Sequence, residues 1–294
     1  LKTEQRHPQT FDLDRRTPES IAEAILGSQV HATQVAHAIS RAVGQAAAEA
    51  AERIAAGGRL VYAGAGTSGR LATQDAAELP PTFGFDRTVV LMAGGARAGS
   101  KAEERAEDDV EAAKRHVDEA EVEARDVIIG VAASGSTPYT CEVLRQGRER
   151  GALVIAIANN PGTPLLELAD HPLLVDTGPE VLTGSTRMAA GTAQKAVLNA
   201  LSTTMQVQLG EVFSNLMVGM KPTNRKLELR AVRMVQDATQ CSEAQAKEAL
   251  EQSGNDIKVA VVMTLADLTA DAARARLAAS GGHVRTALEG VQAV

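Results

Sequence analysis

Tryptophan is absent from this chain, and only two tyrosines, four phenylalanines and two cysteines occur in its 294 residues. So few rings leave little on which nucleobases could stack, and a net charge of −7 opposes a polyanionic partner, so no nucleic acid is expected. Cys141 and Cys241 are too few and too unpatterned for a disulfide framework or a zinc site. His7, His31, His37, His116, His171 and His283 are scattered without ligand spacing, so no metal is expected. No apolar run is long enough to span a bilayer, and the opening LKTEQRHPQTF lacks the basic region and apolar core of a secretion signal. No membrane partner is expected, and the cytoplasm is the expected location. What is present is a globular composition, 44% hydrophobic and 23% charged, long enough for one large domain or a core domain with a smaller appendage.

The most informative stretch runs from Arg59 to Pro81, RLVYAGAGTSGRLATQDAAELPP. An apolar run, a Gly/Ser/Thr turn and a helical pattern follow one another, as when a strand, a turn and a helix N-terminus form an anion site. The helical pattern, Arg70 to Glu78, leads to Pro80-Pro81, where the helix is expected to stop and aim Glu78 at a ligand crevice. Leu60 to Ala63, Val89 to Ala93, Asp126 to Ala132, Leu153 to Ala158 and Leu173 to Val175 are short runs rich in β-branched residues that read as buried strands. Helical patterns at Ala102 to Glu121 and Tyr139 to Arg150 lie between them. The expected fold is therefore α/β, a three-layer doubly wound parallel sheet.

Glu19 to Ala56 reads as two helices before Gly57-Gly58. Thr192 to Leu209 and Asn224 to Asp237 read as further helices, followed by three shorter ones divided at Ser242, at Gly254-Asn255 and at Thr269. A C-terminal helical bundle is expected, joined near Lys221-Pro222, with domains at 1–220 and 221–294.

Ligands of doubly wound sheets bind outside the carboxyl ends of the strands, where helix N-termini converge. Three hydroxyl clusters fall at such places: Thr67-Ser68, Ser134-Gly135-Ser136-Thr137, and Thr183-Gly184-Ser185-Thr186. Each taken alone reads first as a helix cap, and its N–H groups and hydroxyls suit a phosphate oxygen or a sugar hydroxyl equally well. Three on one sheet edge favour the ligand. GAGTSG, with Gly64, Gly66 and Gly69, also has dinucleotide spacing, but no acid ends a second strand some twenty residues on. The Thr and Ser inside the turn favour a monophosphate, and no cofactor is expected.

GAGTSGR, ASGSTPY and TGSTRMAAGTAQK resemble the three ligand loops of the sugar isomerase (SIS) fold. More narrowly, DAAELPPTFG, AEDD, NNPGTPL, TGPEVLTGSTRM and NLMV are similar to motifs of the N-acetylmuramic acid 6-phosphate etherase family, from about Arg15 to Gly282. The resemblance implies a lyase of amino-sugar catabolism that cleaves the lactyl ether of N-acetylmuramic acid 6-phosphate. It also implies a homodimer with sites near the subunit interface, a catalytic pair Glu78 and Glu107, and phosphosugar contacts from Gly66, Thr67, Ser68, Ser134, Gly135, Ser136, Thr137, Glu180, Ser185 and Thr186. Glu103 and Glu104 neighbour the second acid. Arg105 stands where the family commonly has Gly, and Ala189 where Lys is frequent. The terminal segment, best matched by AQAKEALEQSGNDIKVAV, resembles a ubiquitin-associated-like module and reads as structural.

An alkyl ether has a poor leaving group and no electrophilic carbon. Opening the sugar to its aldehyde makes the proton on carbon 2 acidic and places the lactyl oxygen β to the carbonyl, which permits elimination. A carboxylate then takes the proton, a carboxylic acid protonates the departing lactate, and water adds back. Burial and mutual proximity are the means of keeping one group ionised and the other protonated. Glu78 reads as the acid and Glu107 as the base, with the roles exchangeable. A phosphosugar-sensing regulator and an aldose-ketose isomerase are the alternatives. Lys195 and Arg187 are further groups able to neutralise phosphate or an enolate.

Overall fold

The computed structural model describes residues 1–99, 103 and 105–289. Helices α1 (Pro18–Ala38) and α2 (Ser40–Ala55) come first. Thr17 caps α1 by accepting the N–H of Ser20, and Pro18 occupies a position where no N–H is needed. The buried stripe Val43, Ala46, Ala47, Ala50 and Ile54 follows helical spacing, and α2 lies against the sheet.

Strand and helix then alternate: β1 (Leu60–Gly64), α3 (Gly66–Phe83), β2 (Thr88–Met92), α4 (Val110–Glu119), β3 (Val127–Ala132), α5 (Pro138–Glu149), β4 (Leu153–Ala158), α6 (Pro164–Glu167) and β5 (His171–Leu174). The five strands form one parallel sheet in the order β2-β1-β3-β4-β5. Every residue of β1, β3 and β4 is buried, which is why these strands read as unbroken apolar runs. On one face Val61, Ile128 and Val154 pack in a cluster with Val117, Tyr139, Val143 and Leu144 of α4 and α5. The chain reverses its direction of travel across the sheet between β1 and β3, so a crevice is expected at their C-terminal ends.

Helices α7 (Ala189–Gln208), α8 (Arg225–Thr239), α9 (Glu243–Ser253), α10 (Ile257–Ala266), α11 (Ala270–Ala279) and α12 (Val284–Leu288) complete the chain. Ser242 and Thr269, read as dividers, are N-caps, and Ser242 forms a reciprocal capping box with Gln245. Val235, Leu250, Ile257, Val261, Val262 and Leu277 belong to a core cluster of this region. Two compact units result, residues 1–76 with 87–204 and residues 77–86 with 205–294.

Two expectations are corrected. Helix α3 does not stop at Pro80-Pro81 but continues to Phe83, so Glu78 lies inside it. Proline's fixed φ suits a helix, and the cost is two lost N–H bonds. The stop comes at Gly84, whose φ of +66° and N–H bond to the Pro80 carbonyl close the helix. The second correction concerns the helix expected from Ala102. Ala102 and Glu104 lie outside the described residues, and Glu107 sits in a separate 3-10 turn, Ala106–Asp108, before α4. Asp109 separates the two elements by capping α4 at the Ala112 N–H, 2.8 Å away.

Candidate functional site

A polar cavity of about 590 Å³ opens where β1 and β3 end. Its wall after β1 is Ala65, Gly66, Thr67 and Ser68, the first turn of α3, whose leading N–H groups have no partners within the helix. Helix and strand approach so closely here that a Cβ on Gly69 would lie 2.8 Å from the Gly64 backbone. Ser68 donates to Gln194 Oε1 at 2.9 Å, Gln194 donates to Asn159 Oδ1 at 2.9 Å, and Asn159 donates to the Val175 carbonyl at 2.8 Å. Ser68, Gln194 and Asn159 are all buried, so this chain of amides fixes the first wall to α7 and β4.

The second wall follows β3: Ala132, Ala133, Ser134, Ser136, Thr137 and Pro138. Gly135 makes the turn at φ +70°, and a Cβ there would lie 2.2 Å from Thr163 Oγ1. The Ser136 N–H donates to Ser134 Oγ at 3.2 Å, and the Ser134 and Thr137 hydroxyls are 3.4 Å apart. Thr137 is the N-cap residue of α5, yet its side chain makes no capping bond. That hydroxyl is therefore not spent on the helix, which weighs against the capping role for this cluster.

Thr186 lines the cavity from the segment before α7. Ser185 is half-buried and is not part of the lining; its N–H donates to the Leu182 carbonyl and its own carbonyl accepts from Met188. Glu180 is fully buried, and its two carboxylate oxygens accept the N–H groups of Ala189 and Ala190, both at 2.9 Å. It holds the start of α7 through a favourable charge at a helix N-terminus. Arg187 is exposed, and Lys195 donates to Asn199 Oδ1 at 2.6 Å.

Glu107 and Asp108 also line the cavity. Both are exposed, and Arg105 ahead of them adopts φ +64°, the left-handed region that favours glycine. Glu78 is exposed and belongs to the other compact unit, residues 77–86 with 205–294. A single chain thus gathers Gly66, Thr67, Ser68, Glu107, Ser134, Ser136, Thr137 and Thr186 around one cavity, with Gly135 shaping its second wall.

Glu4 completes the lining, a residue that no local motif marks. Behind the second wall, Tyr139 is fully buried and its hydroxyl lies 2.7 Å from His116 Nδ1. Burial first, and then the Asp109 charge, push the phenol well above its ordinary pKa, so it stays protonated. Burial likewise pushes the Cys141 thiol up to about 11, which leaves it unreactive at neutral pH. His171 pairs with Glu49 at 2.7 Å.

Residues 37–147 match a family model described as the glucokinase regulatory protein N-terminal SIS domain, residues 108–204 match the SIS domain, and residues 214–259 match the C-terminal lid domain of glucokinase regulatory protein. An N-acetylmuramic acid 6-phosphate etherase of Deinococcus radiodurans is 47% identical over 98% of this chain and 95% of its own length. The enzyme of the same name from Erwinia tasmaniensis is 47% identical over 99% of this chain and 95% of its own length. Among solved structures, a Bacteroides fragilis protein assigned to capsule formation as a phosphosugar isomerase superposes with a TM-score of 0.52. It is 23% identical and covers 67% of this chain and 93% of its own, a likeness of fold.

Proposed function

Since the chain belongs to the N-acetylmuramic acid 6-phosphate etherase family, we propose that it cleaves the D-lactyl ether of N-acetylmuramic acid 6-phosphate by elimination and readdition of water. The products are N-acetylglucosamine 6-phosphate and D-lactate. The observation that carries this reading is the cavity itself. Hydroxyls and helix-start N–H groups from three loops share it with Glu107, and among the described residues no ion pair or hydrogen bond occupies that carboxylate.

In this reading the phosphate, whose ionised oxygens only accept, takes Gly66, Thr67, Ser68, Ser134, Ser136, Thr137 and Thr186 as donors. Gly135 allows the second wall its turn, and Glu180 and Ser185 act through the backbone they fix. Glu107 removes the proton from carbon 2 of the open-chain aldehyde, the electron pair forms the carbon 2–carbon 3 double bond, and the lactyl oxygen leaves carbon 3 with a proton from Glu78. Water then adds at carbon 3 as its proton passes to the Glu78 carboxylate, and Glu107 returns its proton to carbon 2.

The family resemblance implies a homodimer, and the proposal includes one. A cytoplasmic location and a division into an SIS domain at 1–220 and a helical domain at 221–294 complete the proposal. No helix among the described residues is long and apolar enough to cross a membrane.

The test is incubation with N-acetylmuramic acid 6-phosphate in oxygen-labelled water. Release of D-lactate without label, with label at carbon 3 of the sugar, is expected. Label in the lactate would overturn the elimination. Binding without any lactate release would leave the sensor or isomerase reading in its place.

A further inference from the structure

Neither the fold's hydrophobic core nor the acid-base pair uses Glu4, yet the chain takes care to hold it. Lys2–Glu4 form a single 3-10 turn. Thr3 is fully buried; its N–H donates to Asn160 Oδ1 at 3.3 Å, and its hydroxyl accepts from Asn160 Nδ2 at 2.9 Å. The same amide nitrogen also donates to the Ala133 carbonyl at 2.8 Å, so Thr3 is tied to the loop that forms the second wall. Lys2 pairs with Asp176 beside it. Glu4 thereby lines the cavity, and a Cβ built on Gly184 would stand 3.4 Å from its Oε2, which puts the carboxylate at the third hydroxyl loop.

The chemistry of the lining divides by role. Hydroxyls and N–H groups suit a phosphate, but a sugar also brings donors, its own hydroxyls and an acetamido N–H, and these need acceptors. An ionised carboxylate accepts only. We propose that Glu4 is a substrate-binding residue whose carboxylate receives a hydrogen bond from a hydroxyl or the acetamido N–H of the sugar, and that the Thr3–Asn160 pair positions it. The proposal rests on the phosphosugar reading of the cavity.

The experiment measures dissociation constants of N-acetylglucosamine 6-phosphate and glucose 6-phosphate by calorimetry, for the wild type, Glu4→Ala and Glu4→Gln. A charge-assisted hydrogen bond predicts a loss of about 10- to 100-fold for Glu4→Ala, with partial recovery in Glu4→Gln, whose amide oxygen still accepts. A loss confined to the N-acetyl sugar identifies the acetamido N–H as the donor; an equal loss for both identifies a hydroxyl. Thr3→Val should weaken binding in the wild type and do nothing further in Glu4→Ala, since both act through one contact. Unchanged melting temperature for Glu4→Ala separates this from a folding defect. Binding within twofold of wild type for both sugars would overturn the proposal. The D-lactate assay on wild type tests the lyase reading separately: no lactate with a Glu4-dependent dissociation constant leaves Glu4's role standing and removes the lyase. A wild type that binds neither sugar overturns Glu4's role, whatever the lactate assay returns.

Discussion

At the N-terminal edge of the sheet, Asp126 accepts the Arg59 backbone N–H at 2.9 Å, the Arg59 side chain at 2.7 and 3.2 Å, and the Glu123 N–H at 3.1 Å. At the C-terminal edge, Glu107 and Asp108 are exposed, and their carboxylates have no hydrogen bond or ion pair among the described residues. One edge uses its acid to satisfy strand-end N–H groups, and Asp170 repeats the device by accepting the Val154 N–H at 2.9 Å. The other edge leaves acceptors open beside a cavity. The same residue type thus serves stability where its donors come from the chain and chemistry where they must come from a ligand.

Changes at the two edges should therefore separate activity from stability. The largest effect expected is on turnover. Glu107→Gln should lower kcat by about 10²- to 10⁴-fold, the range of a positioned acid or base, while N-acetylglucosamine 6-phosphate still binds and the melting temperature holds. Glu78→Gln should behave alike. Co-expressing the two variants sharpens the point, because a homodimer whose sites take one acid from each copy regains roughly a quarter of the wild-type sites by random pairing. No recovery in the mixed preparation would place both acids in one chain.

Asp126→Ala should do the reverse. It strands Arg59 and two backbone N–H groups at a position where the acid side chain is 1% exposed, and should cost about 2–4 kcal/mol in chemical denaturation while the remaining folded protein turns over normally. A pH titration of stability tests the same pair. Burial raises the Asp126 pKa, but the Arg59 side-chain hydrogen bond and the Glu123 and Arg59 N–H groups outweigh it and hold the carboxyl below its ordinary value. A depressed folded pKa gives stability that is complete above about pH 4 and lost as pH falls through the folded value. Asp126→Asn should flatten that acid limb; an unchanged limb would assign it to other carboxylates.

Much of this arrangement is legible in the chain. Strands β1, β3 and β4 announce themselves because burial on both faces leaves uninterrupted apolar runs, and helix starts because Thr17, Asn224, Ser242 and Thr269 carry the capping oxygens. The misreadings share a cause. Pro80-Pro81 was expected to end a helix by local rule, while the actual stop depends on the positive φ at Gly84. The run around Glu107 has helical composition, but a left-handed arginine and the Asp109 cap break it. Glu4 has no local signal at all, because its place depends on a contact 157 residues away, between Thr3 and Asn160.

Gly135→Ala should have an intermediate effect. The φ of +70° resists any side chain, and the new Cβ would sit 2.2 Å from Thr163 Oγ1. Strain and displacement together predict a loss of about 1–3 kcal/mol and weakened phosphosugar binding, because the second wall turns on this residue. Gly162→Ala serves as the control: it has φ +63° as well, but nothing within 4 Å of the added Cβ. It should show strain without loss of the ligand. Equal damage to binding from both would mean that backbone strain, not the crowding against Thr163, governs this wall.

The smallest expected effect lies on the turn that presents Glu107. Arg105 holds φ +64° with a full side chain, at a cost of about 1–2 kcal/mol. Arg105→Gly removes that strain but gives the unfolded chain more freedom, worth about 0.4–1 kcal/mol in the opposite direction. The net expectation is a gain of about 0.5–1 kcal/mol in unfolding free energy, read as a higher denaturant midpoint, with kcat unchanged or raised, since the turn's backbone conformation is the one glycine prefers. A loss of stability would show that the Arg105 side chain makes a contact worth more than its strain. A loss of kcat at unchanged stability would instead tie the arginine's charge to the carboxylate two residues on, and would place both edges of the sheet under the same rule of paired acids.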